Sequence, residues 1–353
     1  MKISVVDLFC GIGGLTHGLK KAGLNVVAGF DIDPTCRYAY EENNGCDFIE
    51  ADVSCITPRE INKYYEGANI RVLVGCAPCQ PFSKYTMRYR KNGDINTGKN
   101  HNKWSLVKSF AEKIRQILPD VVSMENVPEL VNTEVFKCFL NVLTECGYHV
   151  SCGIVFCPNY GVPQNRKRLV LLASRMGEIK LIDPEYTSNN YKTVKQAIGN
   201  LPKLRNGEKC EKDRLHFCAS LNKTNQRRIE SSKPGGTWRD WEESLQLDCH
   251  KKNTGKSYPS VYGRMSWDAP SPTITTQFYG YGNGRFGHPE QNRALSIREG
   301  MILQSFPTDY KLLDEDASFN TRVLGTHIGN AVPVELGCAI GKSIKNHILE
   351  VMA

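Results

Sequence analysis

The sequence predicts an α/β protein: a doubly wound, mostly parallel sheet joined to a smaller, loop-rich domain. Short apolar runs alternate with amphipathic stretches through the first half, the pattern of strands and covering helices in a sheet buried on both faces. Beyond about residue 180 that order is lost, and residues 187–292 are rich in Gly, Pro, Asn, Ser and Lys. Amphipathic order returns in "VPVELGCAIGKSIKNHIL" (332–349), which brings the chain back to the first domain. The expected division is 1–186 plus 320–353 for one domain and 187–319 for the other.

Each element has its own signal. "ISVVDLF" (3–9) reads as a buried strand and "GGLTHGLKKAG" (13–23) as a helix closed by Gly23. "NVVAGFDID" (25–33), "FIEADV" (48–53) and "RVLVGCA" (71–77) read as strands. A helix over 105–118 leads into the strand "PDVVSMEN" (119–126), and a helix over 133–147 into "HVSCGIVF" and "RLVLLAS". The longest apolar runs are too short to span a bilayer, and no secretory leader is visible, so a cytoplasmic protein is expected.

Fourteen cysteines in such a chain suggest reduced thiols, most of them, such as Cys138 and Cys146, serving as small buried apolar groups. The net charge of +8 is unevenly placed. Residues 191–292 hold 17 Lys and Arg against 10 Asp and Glu, which is +7. A block that basic, carrying Trp238, Trp241, Tyr258, Tyr262, Tyr279 and Tyr281, suits a polyanionic partner, although a merely solvated face would look similar.

Four stretches carry candidate chemistry. "DLFCGIGG" (7–14) delivers Gly11, Gly13 and Gly14 from a strand into a helix start, where open α/β sheets hold nucleotide-like cofactors. Asp31 follows Gly11 by 20 residues, where a carboxylate can meet ribose hydroxyls. The dinucleotide fingerprint asks for glycine at position 16, which is Thr16, so a cofactor without a pyrophosphate fits better. On the glycines alone, a tight turn without ligand is an equal reading.

The second stretch is "GCAPCQPFS" (75–83). Cys76 and Cys79 could form a disulfide, half a zinc site, a redox pair, or a structural thiol beside a nucleophile. No other CxxC exists to complete a zinc site, and a redox pair would begin a helix at its first cysteine rather than carry Pro78 and Pro81. A free thiol has a pKa of roughly 8.5 and needs local help to act as a nucleophile. The third stretch, "MENVP", ends its strand on Glu125, a carboxylate expected beside the Cys79 strand. The fourth, "QNRKR" (164–168), presents Arg166 and Arg168 at alternating positions, as paired ligands for an anion or a carbonyl would be.

Together these stretches resemble the DNA (cytosine-5) methyltransferase family of prokaryotic and phage modification enzymes, over almost the whole chain and in the right order. "RALSIREGMILQSFP" (293–307) and "GNAVP" (329–333) resemble the last two family motifs. The resemblance implies an S-adenosylmethionine-dependent Rossmann-like fold, no metal, and a target-recognition domain in the loop-rich segment. It implies that Cys79 adds to cytosine carbon 6, that Glu125 bonds ring nitrogen 3 and the amino group, and that Arg168 holds the base carbonyl with Arg166 in support. Cys76 is then structural. Phe9, Gly11, Gly13, Asp31, Asp52, Pro78, Leu106 and Asn330 match cofactor-contacting positions.

The reaction requires a base flipped out of the duplex. Residues 84–104 read as a polar loop able to close over it, although "HNKW" (101–104) stands where the family often has an acidic-Arg-Gly stretch. Residues 267–293 are the expected target reader, with Ser83, Thr273 and Thr275 at the DNA and Arg285 at a base. Double-stranded DNA is the expected partner, the chain a nucleoid-associated monomer, and a restriction endonuclease sharing its site a companion. Two rivals share the motifs: a tRNA cytosine-5 methyltransferase, whose usual Cys-Phe-Thr signature is missing, and a catalytically inactive DNA-binding relative.

Overall fold

A computed structural model of the chain describes residues 1–78, 101–252 and 260–353, with side chains from residue 105 onward in the helix that begins at His101. Two compact units emerge. The first comprises Met1–Phe156, Lys167–Pro184 and Val332–Ala353, and the second Cys157–Arg166 and Glu185–Ala331.

The first unit is built on β1 (Ile3–Leu8), β2 (Val26–Asp31), β3 (Asp47–Glu50), β4 (Ile70–Gly75), β5 (Val121–Asn126), β6 (His149–Phe156) and β7 (Lys167–Ser174). They form one sheet in the order β3-β2-β1-β4-β5-β7-β6. The first five strands are parallel, and β7 runs antiparallel to both β5 and β6. Strand order reverses between β1 and β4, the crevice where open α/β sheets place their ligands.

Helices α1 (Gly14–Lys21), α2 (Arg37–Asn44), α3 (Pro58–Asn62), α4 (His101–Ile117), α5 (Glu134–Glu145) and α6 (Val334–Met352) cover this sheet. Val6, Leu8, Phe30, Leu73 and Met124 join Phe110 of α4 and Phe139 of α5 in one cluster. The alternate residues Val5, Val72 and Val74 are equally buried, so both faces are covered. Each such side chain contributes roughly 1.5–3 kcal/mol. On α1, Gly18 lets α6 approach: a Cβ there would stand 2.4 Å from the Val334 carbonyl oxygen.

The stretch 321–352 is long and apolar enough to cross a membrane. Residues 331–333 break it into two helices, however, and 67% of its most apolar window is buried inside the protein, as in a core helix.

The second unit has little regular structure. Its two-residue strands Gln164–Asn165 and Ser271–Pro272 pair in parallel, and its helices are short. Buried polar groups do much of the holding. Arg293 grips Glu299 through two guanidinium nitrogens, at 2.8 and 2.6 Å, with both residues almost wholly enclosed. Glu299 also accepts from the Ser296 N–H, closing a capping box on the helix Ile297–Leu303. Burial alone would raise the Glu299 carboxyl; the Arg293 hydrogen bonds and charge instead hold it down at about 2.

Three expectations differ from this picture. Residues 157–166 and 320–331 lie with the second unit, because Gln164 bonds Leu303 and Gln304, and Gly329 sits against the 275–276 backbone. Cys138 is exposed and Cys146 half-buried; the buried cysteines are Cys10, Cys36, Cys157, Cys218 and Cys338, and all thirteen among the described residues are free thiols. Finally, Trp238, Trp241 and Tyr281 pack with Ile229 and Leu245 as the core of the second unit instead of facing a polyanion. Tyr258 lies outside the described residues.

Candidate active site

At the carboxyl edge of the sheet, β5 lies beside β4 in register, with Met124 opposite Gly75, so Glu125 ends up next to the segment that leads to Cys79. Glu125 is only 3% exposed. The Cys76 thiol donates to its Oε2 at 2.8 Å, and the Arg168 guanidinium Nε forms an ion pair with Oε1 at 2.9 Å. Burial, and then the Glu125 charge, push the Cys76 thiol well above the usual range, so it is held protonated as a donor. Asn126, the next residue, donates from Nδ2 to the Ala77 carbonyl at 2.9 Å. One strand end thus presents the carboxylate and fixes the chain two residues before Cys79.

Cys79, Ser83 and the loop 84–100 lie outside the described residues, as do the side chains of 101–104. Pro78 is the last described residue before them and is exposed.

The loop 9–14 has the backbone its glycines predict. Gly11 and Gly13 adopt φ of 51° and 85°, left-handed values that favour glycine, while Phe9 takes φ 61° despite its side chain. The Phe9 ring meets Phe110 edge-on at 6.4 Å. Above Gly11 the surface is open among the described residues, for a Cβ there would find no atom within 4 Å. Asp31 accepts the Gly11 N–H on Oδ2 at 2.8 Å and the Asp33 N–H on Oδ1 at 3.0 Å. It therefore braces the loop. Asp52 accepts from the Ser54 N–H and hydroxyl, and Leu106 packs half-buried at the edge of the main cluster. Asn330 belongs to the second unit, exposed at the end of the helix Thr321–Asn330.

Beneath the loop lies a group that motif reading missed. Asp7 is wholly buried on β1; the Thr16 hydroxyl donates to its Oδ2 at 2.7 Å and contacts the Tyr40 hydroxyl at 3.1 Å. Oδ1 of Asp7 has no hydrogen-bond partner among the described residues. Burial pushes the carboxyl up to about 7, against the opposing pull of Thr16. The departure from the dinucleotide fingerprint at position 16 thus has a structural use. Ile32, 66% exposed beside Asp31, is a second missed feature; an exposed apolar side chain at a strand end offers a flat ligand something to lie on.

Within the second unit, Arg166 is 2% exposed and donates to the carbonyls of Ile274, Gly329 and Ala331 at 3.1, 3.2 and 3.4 Å. Where the sequence suggested a partner for Arg168, the structure gives Arg166 a scaffolding position. Thr273 donates its hydroxyl to the Asn165 carbonyl, Thr275 is exposed, and Arg285 is half-buried with no hydrogen bond at Nε among the described residues.

A mostly parallel sheet thus carries a glycine-turned loop at its switch point and a clamped acid at the neighbouring strand end. Solved structures share that fold across the chain. They include a candidate DNA modification methyltransferase encoded within an E. coli prophage (TM-score 0.71, 20% identity, covering 99% of this chain and 100% of that one). Another is the Entamoeba histolytica methyltransferase EhMeth (TM-score 0.64, 18% identity, 99% of each chain).

Sequence similarity is narrower: the model of the C-5 cytosine-specific DNA methylases matches residues 3–346, and the chain belongs to that family. The type II methylase M.HgiDII of Herpetosiphon aurantiacus is 51% identical over 98% of this chain and 96% of its own length. The type II methyltransferase M.Eco47II of Escherichia coli is 32% identical over 98% and 79%. The activity is that of a DNA (cytosine-5) methyltransferase, and family membership implies S-adenosylmethionine as its methyl donor.

Proposed function

We propose that Cys79 is the nucleophile and Glu125 the group that holds the base, acting on a cytosine flipped out of duplex DNA. The observation that carries this reading is the buried Glu125 carboxylate, clamped at the end of β5 beside the segment that enters the Cys79 loop. Cytosine carbon 5 is a weak nucleophile, and covalent addition divides one hard step into easier ones. The Cys79 thiolate adds to carbon 6 as nitrogen 3 takes up a proton delivered through Glu125, and the carboxylate then accepts from that N–H and from the amino group, leaving carbon 5 enamine-like. Carbon 5 takes the methyl group and then gives up its proton, and the electron pair returns to the ring and expels the thiolate. Bound S-adenosylmethionine supplies an electrophilic methyl group on its sulfonium. Phe9, Gly11, Gly13, Asp31 and Asp52 would hold it, with Pro78 and Leu106 completing the set on the first unit. Arg168 positions Glu125 and the base carbonyl, and Arg166 braces the backbone at 274 and 329.

The second unit, roughly the target-recognition domain expected over 187–319, would read the site through 267–293, with Thr275 and Arg285 the better placed candidates. No part of this scheme calls for a metal. The relatives are named type II methylases, which favours a modification enzyme of a type II system; a companion endonuclease and a cytoplasmic setting complete this reading.

Fluorine at carbon 5 cannot leave as a proton would, so the reaction should stop as a covalent adduct. Once bisulfite sequencing has mapped the methylated site, a duplex carrying 5-fluorocytosine there should yield a denaturation-resistant adduct only with S-adenosylmethionine present. The adduct should map to the peptide containing "APCQPFS" and vanish in Cys79→Ala. Trapping on tRNA instead would overturn the substrate reading, and trapping on neither would favour an inactive relative.

A further inference from the structure

The Cys76 thiol makes the only hydrogen bond to the Glu125 carboxylate among the described residues, while Oε1 has the Arg168 ion pair and no aligned hydrogen bond. From this geometry we infer that Cys76 is a positioning residue, whose S–H anchors Oε2 while Arg168 holds Oε1, so that the carboxylate plane offered to the base is fixed. The inference rests on the reading of Glu125 given above.

The terminal torsion of a glutamate is broad, so a carboxylate held at one oxygen still swings about that point. Arg168 approaches from β7 and Cys76 from the segment just beyond β4, one on each oxygen. Two holds on opposite oxygens fix the carboxylate plane; one does not. The placement of Cys76 is itself fixed, since its N–H bonds the Leu8 carbonyl at 3.2 Å and Asn126 holds the next residue's carbonyl. The thiol is protonated for the reasons already given and is therefore a donor, not a rival nucleophile. A filler cysteine would need only an apolar neighbour, yet this one points a donor at a buried charge.

The test measures single-turnover methyl transfer into DNA carrying the mapped site, with KM values and melting temperature, for four variants. Cys76→Ala should lower the rate roughly tenfold, as the loss of one hydrogen bond to a charged group does, with KM for both substrates nearly unchanged. Cys76→Ser keeps a donor and should recover to within about threefold of wild type. In a Glu125→Gln background, adding Cys76→Ala should change the rate by less than about twofold, because the residue acts through the carboxylate. Wild-type rates in Cys76→Ala, equal losses in Ala and Ser tracking melting temperature, or full additivity with Glu125→Gln would each overturn the inference. A Glu125→Gln variant as fast as wild type would instead remove the underlying reading of Glu125.

Discussion

The two units are held together by different means. In the first, apolar strands lie under apolar helix faces, with buried polar groups at the sheet's carboxyl edge, beneath the loop 9–14, and where His347 meets Ser174. In the second, short elements are joined by enclosed charges: Arg293 with Glu299, and Arg264 on the carbonyls of His288, Gln291 and Ile229. The first unit loses packing area when a side chain is truncated; the second exposes an uncompensated buried charge. The difference teaches that a loop-rich domain with few regular layers can add enclosed charges to its apolar core.

The largest effect should come from breaking the charge pair. Glu299→Gln leaves Arg293, which has no exposed surface, without its counterion, and should cost about 3–5 kcal/mol in chemical denaturation. Adding Arg293→Met should recover part of that loss, since no buried charge then remains unpaired. Equal or greater loss in the double variant would mean that side-chain volume, and not charge, holds this unit. The wild-type pair also predicts acid sensitivity. A carboxyl held at about 2 contributes stability above its unfolded value near 4.5, and that contribution is lost as pH falls from there toward 2.

Asp7 should behave in the opposite sense. Its folded value near 7 lies above its ordinary 3.8, so the folded protein binds the extra proton between them, and stability falls as pH rises through that window. Between pH 5 and 8 the loss should be about 2–3 kcal/mol. Asp7→Asn keeps an acceptor for Thr16 and carries no charge, so its stability should be flatter over the same range. Parallel pH profiles for the two proteins would show that Asp7 is not protonated beneath the loop.

What the sequence made legible follows the same division. Strand and helix periodicity placed β1, β2, β4 and β5 closely, because each is a short apolar run with glycine, proline or a polar turn at its end. It missed α2 and α3, where "RYAYEENN" and "PREIN" are too short and polar to show a period. Glu125 and Arg168 were legible as motif residues, and the structure brings them together. Cys76 was read only as structural and the amide of Asn126 was quoted without a role, since their partners lie 49 residues away in sequence. The three carbonyl partners of Arg166 were not legible, because alternation along two residues says nothing of groups about 110 to 165 positions distant.

The smallest effect should tell whether Trp238 belongs to the second unit's core or to a surface that binds DNA. Trp238 is 5% exposed, stacks on His250 at 4.3 Å between ring centroids, and sits in the cluster with Trp241 and Tyr281. A residue so enclosed cannot stack a nucleotide without unfolding its surroundings. Trp238→Phe keeps an aromatic ring but loses indole area, so stability should fall by about 1–2 kcal/mol. Affinity for nonspecific duplex, and its slope with salt, should stay within error of wild type, because the +7 of residues 191–292 remains and phosphate contacts set that slope. A tenfold loss of DNA affinity at unchanged melting temperature would return Trp238 to the nucleic-acid surface that the sequence first suggested.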